Sequence, residues 1–273
     1  LLSAMTSMLY SGLAPRDPGR GAAANRSGFS GRYDGRYDGA MDENAVSEAW
    51  TELGASFGVG AGDDRLSATL RSLTEPDLLA RAVALAARQL GEPSFPADQW
   101  ARDQARKIAS LRESMTRPGT MASRAWYPAV FGDHPYGYMS TEASMRRITV
   151  QDLRDFHTRH LNACRARVTL VGAVTRAQAD RIAAELLARL PDAGQGACPP
   201  LAALPEVKPL TAPVDISLPL ESAQAHVFIG QPGIARKNPD FLALTVGNYV
   251  LGGGGFVSRL TEQVREKRGL SYS

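Results

Sequence analysis

The sequence predicts an α+β fold in two units joined by a long linker, and three observations carry that prediction. Helix-periodic segments, most with a capping residue at the head, alternate with short strand-patterned runs. Two such runs, ASFGVGAG and RLSATLRSL, follow one another, and the second alternates Leu66, Ala68 and Leu70 with Arg65, Ser67 and Thr69. Beyond residue 190, PDAGQGACPPLAALPEVKPLTAP is proline-rich and without periodicity, as interdomain linkers are. A length of 273 residues suffices for one large core or two medium ones.

The chain opens on an apolar helical pattern, LLSAMTSMLYSG. Residues 12–40 then read as a flexible insertion: Gly, Arg, Pro and Ser dominate, and RYDG stands twice in tandem. So little apolar content does not offset the entropy of ordering. Tyr33 and Tyr37 are the side chains there that a partner would grip, although a tolerated insertion is the plainer reading. Helix is expected behind Asp42 as N-cap, with Ala45, Val46, Ala49, Trp50 and Leu53 on one face. Thr74-Glu75-Pro76 opens the next, burying Leu78, Val83, Leu85 and Leu90. Pro96 begins another, polar along one side, and a third runs from Arg117 to Phe131 ahead of the turn-rich GDHPYG. Thr149 heads a helix with Asp152 at the capping-box position, RARVTLVGAV is a strand, and Thr175 caps a helix ending near Leu190.

After the linker, DISLPL and QAHVFIGQP pattern as strands. Pro239 opens a helix through Tyr249, Gly252 to Gly255 break it, and SRLTEQVREKRG forms the last helix. The limits so read are a first domain at 1–190, a linker at 191–212 and a second domain at 213–273. An apolar helix at the first residue and a strand-like GLSYS at the last make the chain read as a fragment with its second domain truncated. Missing targeting signals then carry no weight.

Composition excludes some functions. A hydrophobic share of 44% and a charged share of 22% are those of an ordinary globular protein, and a net charge of +3 is weak. No basic block interleaved with aromatics points to nucleic acid, and no apolar run approaches membrane-spanning length. Cys164 and Cys198 make neither a disulfide framework nor a metal knuckle, which leaves the redox compartment open. The Gly252–Gly255 run lacks the Lys and Ser/Thr of a phosphate loop and suits close backbone approach instead.

Within the first helix, Ser3, Thr6 and Ser7 share a face, since positions three or four apart do. Taken alone, they are small alcohols back-bonded to carbonyls one turn earlier. Several strings change that meaning. GDHPYG, the strand RVTLVGAV followed by a helix, HVFIGQPG, NPDFLALTVGNYVLGGGGFVSRL and VREKRGLSYS together resemble the pitrilysin/insulinase family of zinc peptidases, the inverzincins. The resemblance implies two α/β rolls, each a mainly antiparallel sheet with helices on one side, enclosing a peptide chamber.

It also implies H-x-x-E-H on the first helix of an active member, followed by an aliphatic-aromatic pair and a glycine. Here MLYSG follows directly, so Ser3 and Ser7 stand at the histidine positions and Thr6 at the glutamate. Two imidazoles and a distant carboxylate hold zinc with one position open, while the glutamate takes a proton from metal-bound water. Alcohols are poor zinc ligands, and Thr6 is no base near neutral pH. The third ligand of active relatives lies in a phrase resembling LLAEL, matched here by KIASLR, which puts Ser110 in its place. Glu113 is one turn away, but a lone carboxylate does not rebuild the site. Active relatives further use an Arg and a Tyr from the second half to hold the substrate carbonyl and developing oxyanion. Arg265 and Tyr272 match that pair in order and spacing.

The blander alternatives are a solvated Arg265 among Glu262, Glu266, Lys267 and Arg268, and a half-buried strand Tyr272. His157 and His160, three apart on an amphipathic helix without a third ligand, read as a surface pair rather than a metal site. His134 reads as ordering its turn and His226 as packed in a strand.

The resemblance therefore implies a non-catalytic subunit of a two-chain peptidase, inactive alone. A homologous zinc-bearing partner would supply the metal, this chain would hold none, and Arg265 and Tyr272 would act in trans. The alternative is a scaffold or peptide-binding assembly subunit, self-associated or in a larger complex, as with the family-like core proteins of respiratory complex III. Bacterial relatives with tandem subunits are exported, which implies the periplasm, with the cytoplasm as the other possibility.

Overall fold

A computed structural model describes residues 2–15, 37–191, 198 and 200–272, with the side chains of Leu2, Ser3 and Thr6 outside that description. The fold is a mixture of helices and small antiparallel sheets. Helix α1 (Leu2–Met8) turns an apolar side inward, and Ala4, Met5, Met8 and the following Leu9 are buried. They meet Phe95, Trp100, Leu153, Leu161 and Leu190 in the first of two hydrophobic clusters.

The chain then pairs β1 (Gly12–Leu13) antiparallel with β2 (Met41–Asp42). Gly12 has φ of +146°, and a Cβ there would lie 2.8 Å from the Met41 carbonyl oxygen, so only glycine fits this crossing. The two ends of the expected insertion at 12–40 are thus ordered. Leu13 is buried, and Tyr37 is only 4% exposed, its hydroxyl accepting from Arg81 Nη2 at 3.2 Å. Tyr37 is a core residue and not a loop side chain offered to a partner. Tyr33 and residues 16–36 lie outside the described residues.

Asp42 caps α2 (Glu43–Glu52), accepting from the Ala45 amide at 2.8 Å, as its sequence position predicts. β3 (Ser56–Ala61) and β4 (Leu66–Arg71) form an antiparallel hairpin with Ser56 opposite Arg71. Trp50 stacks on Phe57 at 5.6 Å between ring centres, fastening α2 to the hairpin within the second cluster around Leu13, Val46, Leu53, Ala82, Leu85 and Ala86. α3 (Pro76–Gly91) runs through the centre, with Val83 and Leu85 fully buried and Leu78 and Leu90 partly so.

Around it lie α4 (Ala97–Ser114), α5 (Pro118–Phe131), α6 (Glu142–Arg146), α7 (Val150–His160) and α8 (Arg176–Leu187). Thr149 with Asp152 and Thr175 with Gln178 form reciprocal capping boxes at the heads of α7 and α8. α6, which the sequence did not signal, has its own capping box of Thr141 and Ser144.

The strand expectations beyond α7 are not met as hydrogen-bonded ladders. Residues 166–174 and 201–235 run without regular structure among the described residues, and Val171 and Ile229 are 96% and 92% exposed. A strand exists by virtue of its neighbour, and these segments have the side-chain pattern without a pairing edge. α9 (Phe241–Asn248) follows, then two segments closed by wider i to i+5 bonding: Tyr249–Gly253, which runs into the glycines expected to break the helix, and Thr261–Glu266, where an ordinary helix was expected.

Candidate functional site

In α1 the Ser7 hydroxyl donates to the Ala4 carbonyl at 2.8 Å, the local back-bond that small alcohols make in helices. The side chains of Ser3 and Thr6 lie outside the described residues, although both backbones belong to the helix. Ser110 sits on the exposed side of α4, while Trp100 and Ile108 of the same helix turn into the core. Glu113, one turn on, is exposed and paired with Arg117 at 3.1 Å.

This donor set does not fit zinc. Neutral hydroxyls bind divalent zinc poorly, that of Ser7 is engaged with a carbonyl, and the Glu113 carboxylate is paired with Arg117. Among the described residues no group of three or more His, Cys, Asp or Glu side chains is placed to hold a metal ion.

The histidines find structural roles. His157 is buried, with Nε2 2.7 Å from the Leu90 carbonyl oxygen and its ring edge-on to Phe95, so the expected surface pair is half wrong. The turn of α7 that exposes His160 carries its neighbour inward against α3. His160 stays exposed over Phe156, and partial desolvation, then the charges of Arg159 and Arg165, lowers its pKa. His134 orders its turn as expected: Nδ1 accepts from the Tyr136 amide at 3.1 Å, and Nε2 lies 3.0 Å from the Pro205 carbonyl oxygen. His226 is exposed rather than packed, because its segment has no sheet to enter.

Two features of the structure escaped the sequence. Cys164 and Cys198, too few to read as a disulfide framework, form a disulfide. Spacing could not reveal it, since a separation of 34 residues says nothing about distance in space. At the end of α3, Arg88 and Glu92 have the i, i+4 spacing of a surface pair, yet both are buried. Glu92 accepts from Arg88 Nε at 3.1 Å and from Arg189 Nη1 at 2.9 Å, and Arg88 Nη2 also reaches the Ala14 carbonyl. Beside this network, Glu92, Pro93, Phe95, Arg154, His157 and Thr158 line a cleft of about 310 Å³.

At the other end, the Thr261–Glu266 segment carries Arg265. Its guanidinium lies 4.6 Å from the centre of the Phe256 ring and 3.5 Å from the Glu266 carboxylate, leaving about a third of the side chain exposed. Gly269, at φ of +62°, ends the segment by bonding its amide to the Arg265 carbonyl at 2.8 Å. The left-handed turn releases the chain into an extended run on which Tyr272 is 88% exposed. Arg265, half-buried and paired with Glu266, and Tyr272, exposed, therefore flank one turn.

Taken together, the described part of the chain is an α+β unit of helices and small antiparallel sheets. The chain is similar to members of the pitrilysin/insulinase family of peptidases, M16. Residues 147–273 match the family described as the peptidase M16 inactive domain. The chain is similar to the crystal structure of a peptidase M16 inactive domain from Pseudomonas fluorescens, with 32% identity and a TM-score of 0.76, covering 99% of this chain and 58% of that one. It is 31% identical over 162 residues to an uncharacterized zinc protease of Streptomyces coelicolor, spanning 57% of this chain and 34% of that protein. A protease from Helicobacter pylori shares the fold at a TM-score of 0.62 and 14% identity, covering 99% of this chain and 60% of that one. The chain thus spans only part of the length of these relatives.

Proposed function

We propose that this chain is the non-catalytic subunit of a two-chain insulinase-type peptidase, with zinc and H-x-x-E-H supplied by a homologous partner. What supports the reading is hydroxyl residues at the positions where the family resemblance would put the metal-site residues, together with a partly exposed Arg265 and an exposed Tyr272 toward the other end of the sequence. A cation and a phenol donor stabilise charge that develops on a peptide carbonyl, provided an interface brings them within hydrogen-bond reach. Phe256 holds Arg265 from one face, which limits its rotamers, and the Glu266 carboxylate 3.5 Å away is the counter-charge that a substrate would have to compete with.

In this reading residues 1–190 form one insulinase-like domain, 191–212 the linker, and 213–273 the start of a second, the two enclosing half of a peptide chamber. A disulfide is a bond of oxidising compartments, which supports export to the periplasm over residence in the cytoplasm. No helix among the described residues is long and apolar enough to cross a membrane.

The test is co-purification with a zinc-bearing homologue, followed by peptide hydrolysis by each chain alone and by the mixture. Only the mixture should cleave. Arg265→Ala should leave assembly intact and lower kcat by about 10²-fold or more, the usual loss on removing a charge-stabilising donor. Equal turnover by the mixture with and without Arg265 would overturn the role given to that residue, and no turnover with any zinc-bearing partner would leave a scaffold or peptide-binding subunit as the function.

A further inference from the structure

The segment that follows α8 has the composition of a loose linker, yet it is fastened to the first part of the chain at successive points. Cys198 is bonded to Cys164, in the turn after α7. The Pro205 carbonyl meets the ring of His134, itself buried against Phe131 and Tyr136 beside α5. Further on, Phe228 lies 6.4 Å from Trp126 of α5, and Gly230 closes on the same indole.

Packing contributes little to this attachment, because Leu201 and Leu204, between the first two fastenings, are 61% and 57% exposed. The covalent bond is therefore the strongest element holding residues 200–210 among the described residues. It is also within reach of solvent: Cys164 is exposed and Cys198 only half-buried. Such a disulfide is open to attack by an external thiolate.

We propose that the Cys164–Cys198 disulfide is a redox latch that straps residues 200–210 onto the α5 and α7 face. It would thereby set where the second part of the chain, with Arg265 and Tyr272, is carried. A dithiol reductant opens it by giving up two electrons and two protons. A reductant thiolate attacks one sulfur, the second thiol resolves the mixed disulfide, and the products are two cysteine thiols and an oxidised, cyclised reductant. Among the described residues, the released strap is then held by the His134–Pro205 hydrogen bond, with the Trp126 contacts further along. The latch rests on the proposed two-chain function only for its consequence, not for its existence.

The test is limited proteolysis at Glu206, an exposed residue inside the strap, by a glutamate-specific protease. The intact protein is compared oxidised, reduced with dithiothreitol, and as the C164S/C198S double variant. Reduction and the double variant should each speed cleavage on the order of tenfold or more, because local opening governs access. Equal rates in the oxidised and reduced wild-type protein would overturn the latch. Should the double variant fold poorly, as judged by far-ultraviolet circular dichroism, the comparison of oxidised with reduced wild-type protein decides alone. Hydrolysis by the mixture with a zinc-bearing homologue separates the two ideas. Turnover that needs Arg265, with cleavage at Glu206 indifferent to reduction, overturns the latch and leaves the two-chain function standing. Redox-dependent cleavage with no turnover in any state supports the latch and counts against that function.

Discussion

Before residue 191 the chain turns its large apolar side chains inward; after residue 200 it presents them. Met5, Met8, Leu9, Leu85 and Leu153 are wholly buried, whereas Ile229, Leu242, Phe256 and Leu270 are largely exposed. Both regions are patterned as half-buried elements. The difference lies in what each pattern meets. The first region stacks its apolar stripes against α3, while the second has strand-like and helix-like stripes with no facing layer among the described residues. Pattern decides which side of an element is sticky; only a neighbour makes that side a core. An exposed apolar area next to Arg265 and Tyr272 is also the kind of surface on which another polypeptide binds.

Substitutions probe this contrast. The largest effect is expected at Glu92, a carboxylate bonded to two buried guanidiniums. Glu92→Ala should cost about 3–5 kcal/mol in denaturant unfolding, because it strands buried positive charge. If the loss is under about 1 kcal/mol, the value of a surface pair, the interior is wetter than described. Next comes a matched pair of truncations. Leu85→Ala, in the first region, should cost about 2–5 kcal/mol. Leu242→Ala, in the second, should stay within about 0.5 kcal/mol, as exposed substitutions do. Comparable losses at the two leucines would erase the distinction between the regions.

The smallest effect is electrostatic. Glu142 at the start of α6 accepts from Arg112 Nε of α4 at 2.8 Å and from Arg146 Nη2 at 2.7 Å. Hydrogen bonds from Arg112, then Arg146, hold its pKa down from 4.5 to about 2. A carboxylate depressed on folding contributes stability above its unfolded value and loses it as pH falls through the folded one. Glu142→Gln should therefore lower Tm slightly at neutral pH. The gap to wild type should narrow between pH 4.5 and about 2. A gap unchanged across that window would mean that the glutamate acts through packing rather than charge.

Much of the first region was legible because its signals are local. Asp42, Thr149 and Thr175 announced their helices, since a cap needs only the next three residues to act. The alternation at 65–70 announced β4 for the same reason. What stayed hidden depends on distant partners. Tyr37 is buried by Arg81 and its surroundings, His157 is held by the Leu90 carbonyl, and Cys164 is bonded to a cysteine beyond α8. α6 is only five residues long, too short for periodicity, and is tied down by Arg112. At the candidate site, Ser3, Thr6, Ser7 and Ser110 were readable as a set only through the likeness to a family. Nothing local distinguishes them from ordinary helix alcohols, and Ser7 behaves as one.

Whether this chain is inert without a partner is decided by the zinc content and peptidase activity of the purified protein, first alone and then with a zinc-bearing homologue. A non-catalytic subunit holds no stoichiometric zinc and cleaves nothing by itself, and turnover appears only in the mixture. One tightly bound zinc ion per chain, together with hydrolysis in the absence of any partner, would contradict that assignment.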